Sequence, residues 1–222
     1  MSNQKVCLIV GAGPGIGQAC ALTFARSESC DVALASRHPE KLRGIAQSIA
    51  ETTGRRVRAY AANSGDAGSL RQLVEQVRQD LGDPDIVIFN AATSHHGKPS
   101  QVDAEHLVDD FRNNVVGALT LSQTVFPAMR SKGRGTILLT GGGFAYEPAA
   151  AFASLSASKA ALRNLTFSIA QEFGAAGIHV ATVTVYGVVQ TGTAFDPTSI
   201  AQRFLELHRQ KPGHFDTEVV YK

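Results

Sequence analysis

The segment VGAGPGIG, residues 10–17, constrains the fold more than any other part of the chain. It follows an apolar run of strand length and is followed by a helical pattern. Glycines at 11, 15 and 17 let the backbone turn tightly and approach a pyrophosphate, while the start of the helix offers free N–H groups and the positive end of its dipole. The segment therefore predicts a nucleotide-binding unit; an ordinary strand-to-helix turn is the alternative. The residues expected at the nucleotide are Gly11, Gly13, Gly15, Ile16 and Gly17.

Apolar runs of strand length alternate with helical patterns along the whole chain. Several runs are nearly continuous, which is typical of parallel strands covered on both faces. The sequence therefore predicts one Rossmann-like, doubly wound α/β domain over residues 1–222, with a parallel sheet of about seven strands and helices on both faces. The predicted strands are Lys5–Val10, Val32–Ala35, Val57–Ala61, Ile86–Asn90, Thr136–Thr140, Ile178–Val185 and Glu218–Tyr221.

Helix ends are marked by proline and glycine. Pro39 suits a first helical turn and Gly54 the end of the same helix, and Gly82 ends the next one. Three further helices are predicted, Asp103–Arg130, Ala153–Phe173 and Ser199–Gln210.

Composition limits the partners and the compartment. The net charge is +2, from 21 basic and 19 acidic residues without a basic block, so neither nucleic acid nor an anionic membrane is expected. The first residues lack the apolar run of a signal peptide, and no later segment is apolar enough to span a bilayer. Three scattered cysteines, Cys7, Cys20 and Cys30, fit neither a disulfide framework nor a zinc site. We expect a cytoplasmic protein without a metal.

The end of the second strand, ALASRH, indicates which dinucleotide is bound. Sites for NAD(H) place a carboxylate here to hold the ribose 2′-hydroxyl, but no acid precedes Glu40. Ser36 and Arg37 stand there instead, and an arginine fork matches a 2′-phosphate. This pattern favours NADP(H) over NAD(H); a solvent-exposed arginine at a helix start is the alternative.

Further motifs appear in an order that resembles the short-chain dehydrogenase/reductase family. They are the spacing Gly-x-x-x-Gly-x-Gly and the segments FNAAT, NNVVGAL, LSASKAAL and YGVVQT, which together cover nearly the whole chain. The resemblance implies that Asn114 is a proton-relay asparagine, that Lys159 binds the nicotinamide ribose and that Thr191 contacts the nicotinamide carboxamide. The other cofactor-binding positions that it implies are Asn63, near the adenine, and Asn90, Ala91 and Gly187.

The same resemblance breaks at two catalytic positions. In the family a serine after the fifth strand polarises the substrate carbonyl, and a tyrosine four residues before the lysine transfers the proton. Gly142 stands at the serine position and Leu155 at the tyrosine position. Glycine and leucine offer neither a donor nor a titratable proton, and each loss typically costs two or more orders of magnitude in rate.

Other side chains are candidates for the missing proton transfer. Tyr146, in the loop after the fifth strand, can swing toward the nicotinamide or pack at the pocket rim. Tyr186 can stack on the nicotinamide or line the pocket. His95 and His96 are expected to be solvated loop residues whose side chains point apart, not a metal pair. Three serines around Leu155 are expected to cap or pack the helix: Ser154, Ser156 and Ser158.

Two functions follow. One is an NADP(H)-dependent oxidoreductase for a small carbonyl or alcohol, with a non-standard acid/base set of Lys159, Asn114 and Tyr146. The other is a catalytically inactive NADP(H)-binding sensor or scaffold. The substrate segment, about residues 192–213, is short, so the pocket is either open or completed by a neighbouring subunit. The resemblance also implies a homodimer or homotetramer formed through the helices Asp103–Arg130 and Ala153–Phe173.

Overall fold

The computed structural model describes residues 4–222, and these residues form a single parallel sheet of seven strands in the order β3-β2-β1-β4-β5-β6-β7. The order reverses between β1 and β4, as in doubly wound folds that bind a ligand at this point. The predicted fold class is confirmed. The strands are β1 (Val6–Val10), β2 (Asp31–Ser36), β3 (Val57–Ala61), β4 (Ile86–Phe89), β5 (Gly135–Gly142), β6 (Ile178–Val185) and β7 (Glu218–Tyr221).

Helices connect the strands and cover both faces of the sheet. They are α1 (Ile16–Ser27), α2 (Arg43–Thr53), α3 (Ala67–Asp80), α4 (Ala104–Phe111), α5 (Gly117–Lys132), α6 (Ala153–Gly174) and α7 (Pro197–His208). A 3₁₀ turn, Pro39–Leu42, leads into α2, and Gly54 ends that helix with a φ of 68°. Because glycine adopts this left-handed conformation without a steric penalty, it suits a helix end.

Two hydrophobic cores lie on opposite faces of the sheet. One packs α1, α2 and α7 against it and contains Phe24 and Phe204. The other packs α3, α5 and α6 and contains Leu121 and Leu162. The strands between them are almost fully buried, which explains their unbroken apolar sequences.

The predicted long helix, Asp103–Arg130, is interrupted by one π-helical turn, Arg112–Val116, between α4 and α5. Gly117 follows this turn, and a Cβ atom built on it would lie 2.2 Å from the main-chain oxygen of Ser64. The helix therefore passes so close to the loop after β3 that only glycine fits. π turns are frequent at functional sites, and this one holds Asn114.

The ends of β5 and α7 also differ from prediction. β5 continues two residues beyond the predicted end at Thr140, so Gly142 is the last residue of the strand instead of a residue of the loop after it. α7 begins and ends two residues early, because the Asp196 side chain accepts a hydrogen bond from the Thr198 main chain and Pro197 occupies the first turn. Within residues 4–222, no helix is long and apolar enough to cross a membrane.

Candidate active site and cofactor cleft

A cleft of about 330 Å³ lies at the carboxyl ends of β1, β2 and β4, where the strand order reverses. The turn after β1 is fixed there by the main-chain N–H groups of Gly11 and Ala12, which both donate to the Ala35 oxygen at 3.0 Å. The residues at this turn that line the cleft are Val10, Gly11, Ala12, Gly13 and Pro14. The cleft therefore sits where the glycine pattern predicts a nucleotide.

The glycines of this turn are needed for different structural reasons. Gly11 has a φ of 84°, and a Cβ on it would lie 2.2 Å from the main-chain nitrogen of Ala91. A Cβ on Gly17 would lie 3.0 Å from the Gly11 oxygen, so Gly17 packs α1 against the turn. Gly13 has no atom within 4 Å of such a Cβ, so its open side faces the cleft. The turn thus leaves room for a pyrophosphate beside the start of α1, and a dinucleotide fits.

The far end of the cleft carries two cationic side chains. Ser36, Arg37, His38 and Lys41 line it. The sequence pattern does not identify Lys41 as a cleft residue. Lys41 lies in the turn after Pro39 and reaches the cleft through the 3₁₀ geometry of residues 39–42. Arginine and lysine together fit a 2′-phosphate.

Asn90 links the glycine turn to the strand beside it. Its side-chain nitrogen donates to the Gly11 oxygen at 2.9 Å, and its side-chain oxygen accepts from the Thr140 hydroxyl at 2.9 Å. Asn90 and Ala91 both line the cleft. The interaction ties the cleft to β5, whose end carries the second cavity.

This second cavity has a volume of about 540 Å³ and lies at the carboxyl ends of β5 and β6. Gly142, Leu155 and Lys159 line it. The predicted residues Ile16, Tyr186 and Gly187 also line it. A Cβ on Gly187 would lie 2.3 Å from the Phe195 ring, so that ring packs directly on the glycine.

Lys159 is buried, with 8% of its surface exposed, and its Nζ donates to the Thr140 main-chain oxygen at 2.7 Å. Burial disfavours the charged form of an amine and lowers the pKa of Lys159 from 10.5 to about 8. The ammonium group is therefore a stronger acid than that of an exposed lysine.

Asn114 is fully buried in the π turn and connects three elements. Its side-chain oxygen accepts from the Thr93 main-chain nitrogen at 2.7 Å, and its side-chain nitrogen donates to the Thr93 oxygen at 2.8 Å and the Ser158 hydroxyl at 3.0 Å. Ser158 precedes Lys159 on α6. Asn114 thus positions the loop after β4 against the lysine helix.

The three serines of α6 pack the start of that helix, one of the two roles expected of them. Ser154 donates to the buried Asp110 carboxylate at 2.6 Å, and Ser156 accepts from the Ala149 main chain at 3.2 Å. The Ser158 hydroxyl accepts the hydrogen bond from the Asn114 side-chain nitrogen.

His95 differs from its expected role as a solvated loop residue. Its Nδ1 lies 2.9 Å from Asp110, its main-chain N–H donates to the same carboxylate at 2.8 Å, and its ring stacks on His106. The sequence could not show this, because Asp110 lies on the next helix. His96 points elsewhere, with its ring 4.6 Å from that of Phe152. His95, Asp109 and Asp110 each have one side-chain atom that could bind a metal ion, and these three atoms lie within 4.8 Å of one another.

Six predicted site residues line neither cavity, namely Gly15, Gly17, Asn63, Asn114, Tyr146 and Thr191. Asn63 is exposed, and its side-chain oxygen accepts from the Gly65 main chain at 3.1 Å. Thr191 is exposed in the loop before α7. The Tyr146 hydroxyl donates to Glu218 at 2.7 Å and accepts from Arg163 at 2.9 Å. Partial burial and the Glu218 carboxylate raise the pKa of this phenol.

The predicted substrate segment, about residues 192–213, contains α7, whose buried face belongs to the core with α1. The cavity is instead lined by residues 185–189, just before this segment. Val188 is 82% exposed there, so an apolar loop borders the mouth of the cavity.

Known proteins share this fold and sequence pattern. Residues 5–198 match the family model described as short chain dehydrogenase. An uncharacterized oxidoreductase of Staphylococcus aureus (strain USA300) is 28% identical over 198 residues, which cover 88% of this chain and 84% of the relative.

Two solved structures superpose over almost the full chain. A metagenomic short-chain oxidoreductase in complex with NADP has a TM-score of 0.88 and 26% identity, over 99% of this chain and 96% of the other. The alcohol dehydrogenase of Thermococcus sibiricus, complexed with 5-hydroxy-NADP, has a TM-score of 0.89 over 98% and 96% of the two chains; at 20% identity it is similar in fold alone. The chain belongs to the short-chain dehydrogenase family.

Proposed function

We propose that the protein is an NADP(H)-dependent oxidoreductase that acts on a small carbonyl compound or alcohol with a non-standard acid/base set. The observation that carries this proposal is the pair of adjoining cavities. One has a glycine turn and two cations at its ends, and the other holds Lys159. The hydrogen bond between Asn90 and Thr140 joins their walls, so a dinucleotide in the cleft would bring its nicotinamide toward the lysine.

The preference for NADP(H) is supported by the charge at the end of β2. Arg37 and Lys41 line the cleft there, while Asp31 at the other end of that strand is buried and pairs with Arg56. A 2′-phosphate would therefore meet two cations. The NADP bound to the metagenomic relative is consistent with this preference.

Asn114 and Lys159 form the preserved part of the proposed acid/base set, and Tyr146 is its predicted third member. Gly142 and Leu155 contribute neither a hydroxyl nor a phenol to the cavity. For Tyr146 to transfer a proton, its hydroxyl would have to leave Glu218 and Arg163, which makes a swing toward the nicotinamide costly.

The second candidate function is an inactive NADP(H)-binding sensor or scaffold. The apolar side chain of Leu155 in the cavity favours it, because a binding protein needs the cleft but not the phenol. The two functions predict the same cofactor affinity and differ in turnover.

Calorimetric titration with NADPH and NADH, followed by a screen for NADPH consumption against aromatic and aliphatic aldehydes and ketones, separates the two functions. Tight NADPH binding with consumption of at least one carbonyl compound supports the oxidoreductase. Tight binding without consumption across the screen supports the sensor. Absence of binding to either dinucleotide contradicts both.

We also propose that the protein forms a homodimer or homotetramer through the two long helical segments. Val108, Phe111 and Val116 support this assembly, since they are 46%, 40% and 44% exposed along α4 and the π turn. Exposed apolar side chains at helical spacing are typical of an interface. Light scattering on the wild type and on Phe111→Lys tests it, with a smaller assembly expected for the variant and an unchanged mass contradicting this surface.

A further inference from the structure

The cavity beside Lys159 has an apolar wall. Its largest side chains are Phe144, Phe152, Leu155 and Tyr186, and Val188 and Val189 close its mouth. Among the described residues that line it, two are charged: Lys159 at its inner wall and Glu147, which is exposed at the surface. A ligand that fills this space is therefore apolar or aromatic, with its polar atom directed to the lysine.

Gly142 leaves space beside the part of Lys159 that lines the cavity. A Cβ built on Gly142 would lie 3.6 Å from the Lys159 methylenes, so glycine leaves this part of the side chain bare. Leu155 lies one helical turn before Lys159 and adds no polar group. A small substrate can therefore approach the amine where the family has a hydroxyl and a phenol.

The Lys159 ammonium group also has unused hydrogen-bond donors. Within residues 4–222 its single hydrogen bond is the one to the Thr140 oxygen. An ammonium group has three donors, which leaves one for a cofactor hydroxyl and one for a substrate oxygen.

We propose that Lys159 binds the oxygen of an apolar or aromatic carbonyl substrate directly and donates the proton that completes its reduction. The proposal rests on the NADP(H)-dependent function above. The reduced cofactor would supply a hydride to the carbonyl carbon, and the π electrons of the C=O bond would then move to the oxygen. An N–H bond of Lys159 breaks as an O–H bond forms, giving the alcohol. The neutral amine then regains its proton from water.

The protonation of Lys159 suits this role. Burial lowers its pKa to about 8, so at pH 7 the group is still largely an ammonium ion, yet it releases its proton more readily than an exposed lysine does. Tyr146 is less suited, because its hydroxyl is held by Glu218 and Arg163 and it does not line the cavity.

The first test measures access of a carbonyl to Lys159 without turnover. The cofactor-free protein is treated at pH 7 with benzaldehyde and cyanoborohydride, and modified lysines are mapped by peptide mass spectrometry. We expect Lys159 to react at least 10-fold faster than the exposed Lys98, because the lowered pKa leaves more free amine. Gly142→Val, which covers the methylenes, should slow only Lys159, and Gly174→Ala, at open space on α6, serves as control. Modification of Lys98 without Lys159 overturns the proposal.

The second test uses an aldehyde or ketone that the NADPH screen identifies as consumed. Lys159→Arg keeps the charge and the donors but does not release a proton near neutral pH. We expect its NADPH affinity to stay within a few-fold of wild type and its rate to fall about 100-fold. In the wild type, kcat/KM should decrease as the pH rises through about 8, and this decrease should vanish in Lys159→Arg.

A Lys159→Arg rate within 3-fold of wild type, or a rate abolished instead by Tyr146→Phe, overturns the assignment to Lys159 and leaves the oxidoreductase function intact. Failure of the wild type to bind or consume NADPH contradicts the function itself. The two failures are therefore distinguishable.

Discussion

The Thr140 hydroxyl donates a hydrogen bond to the side-chain oxygen of Asn90 at 2.9 Å. Through its main-chain oxygen, the same threonine accepts the hydrogen bond of Lys159. One residue near the end of β5 thus holds both the asparagine that braces the glycine turn and the lysine of the second cavity. The cofactor cleft and the cavity are coupled at this point.

Thr140→Val tests this coupling. The valine keeps the shape and the main-chain oxygen but removes the hydroxyl, so the Asn90 oxygen loses its partner. We expect a loss of about 1–2 kcal/mol in the free energy of unfolding, measured by urea denaturation, and weaker NADPH binding. Thr166→Val is the matched control, since among the described residues that buried hydroxyl bonds only to Leu162 of its own helix. Equal effects of the two substitutions would contradict a special role for Thr140.

Removal of either cation at the end of β2 should weaken NADPH binding more than NADH binding. Arg37 and Lys41 both line the cleft, and a charged hydrogen bond to a 2′-phosphate is worth about 1–3 kcal/mol. We expect Arg37→Ala and Lys41→Ala each to raise the Kd for NADPH about 5- to 150-fold, with the Kd for NADH changed less than 2-fold, as measured by calorimetry.

Arg71→Ala, at an exposed position on α3, is the control for a general loss of charge. If both dinucleotides lose affinity equally, or if NADPH loses none, the phosphate does not lie at this end of the cleft.

The comparison of Arg37 and Lys41 also shows what the sequence can predict. Arg37 is identifiable because it directly follows a strand whose end has a known place in the sheet. Lys41 reaches the same cleft only because Pro39 starts a 3₁₀ turn that directs the lysine back. Local sequence patterns thus identify residues at strand ends. The spacing of residues does not show which side chains a turn will direct into the cleft.

Tertiary packing accounts for the other differences. The π turn before Gly117 depends on how closely α5 approaches the Ser64 oxygen, and the bond from His95 to Asp110 depends on where α4 lies relative to the preceding loop. Strand periodicity and the Gly54 helix end are local and were predicted correctly. Contacts between separate elements appear only in the folded chain.

Gly13→Ala should separate binding from folding. A Cβ at Gly13 meets no atom within 4 Å, so we expect the melting temperature to stay within about 2 °C of wild type. The added methyl group would occupy the space that a pyrophosphate needs, and the Kd for NADPH should rise at least about 10-fold.

Substitutions of two other glycines serve as controls for Gly13→Ala. Gly11→Ala should weaken NADPH binding and also lower the free energy of unfolding by about 1–3 kcal/mol. The reason is that Gly11 has a φ of 84° and a Cβ on it would lie 2.2 Å from Ala91. Gly44→Ala, on the open side of α2, should change neither property for the worse. Wild-type NADPH affinity in Gly13→Ala would place the dinucleotide elsewhere.

Acid should destabilise the protein through His208. Its Nδ1 lies 2.9 Å from the Thr136 hydroxyl and its ring contacts Phe24. Burial lowers the pKa of His208 from 6.5 to about 4, and the Glu28 carboxylate only partly opposes this. Between these values the unfolded chain binds a proton that the folded chain does not, so stability is full above about pH 6.5 and declines as the pH falls to about 4. The difference of about 2.5 between the two pKa values corresponds to at most about 3 kcal/mol.

His208→Asn removes the titrating group and retains a hydrogen-bonding atom near Thr136. We expect this variant to be less stable than wild type at pH 7, because asparagine fills less of the space beside Phe24. Its free energy of unfolding should nevertheless change less between pH 6.5 and pH 4, as measured by urea denaturation across that range. Burial also lowers the pKa of His179, so part of the slope should remain. His214→Asn, at an exposed position, should keep the wild-type slope, and an equally steep slope in His208→Asn would exclude His208 as the group that titrates.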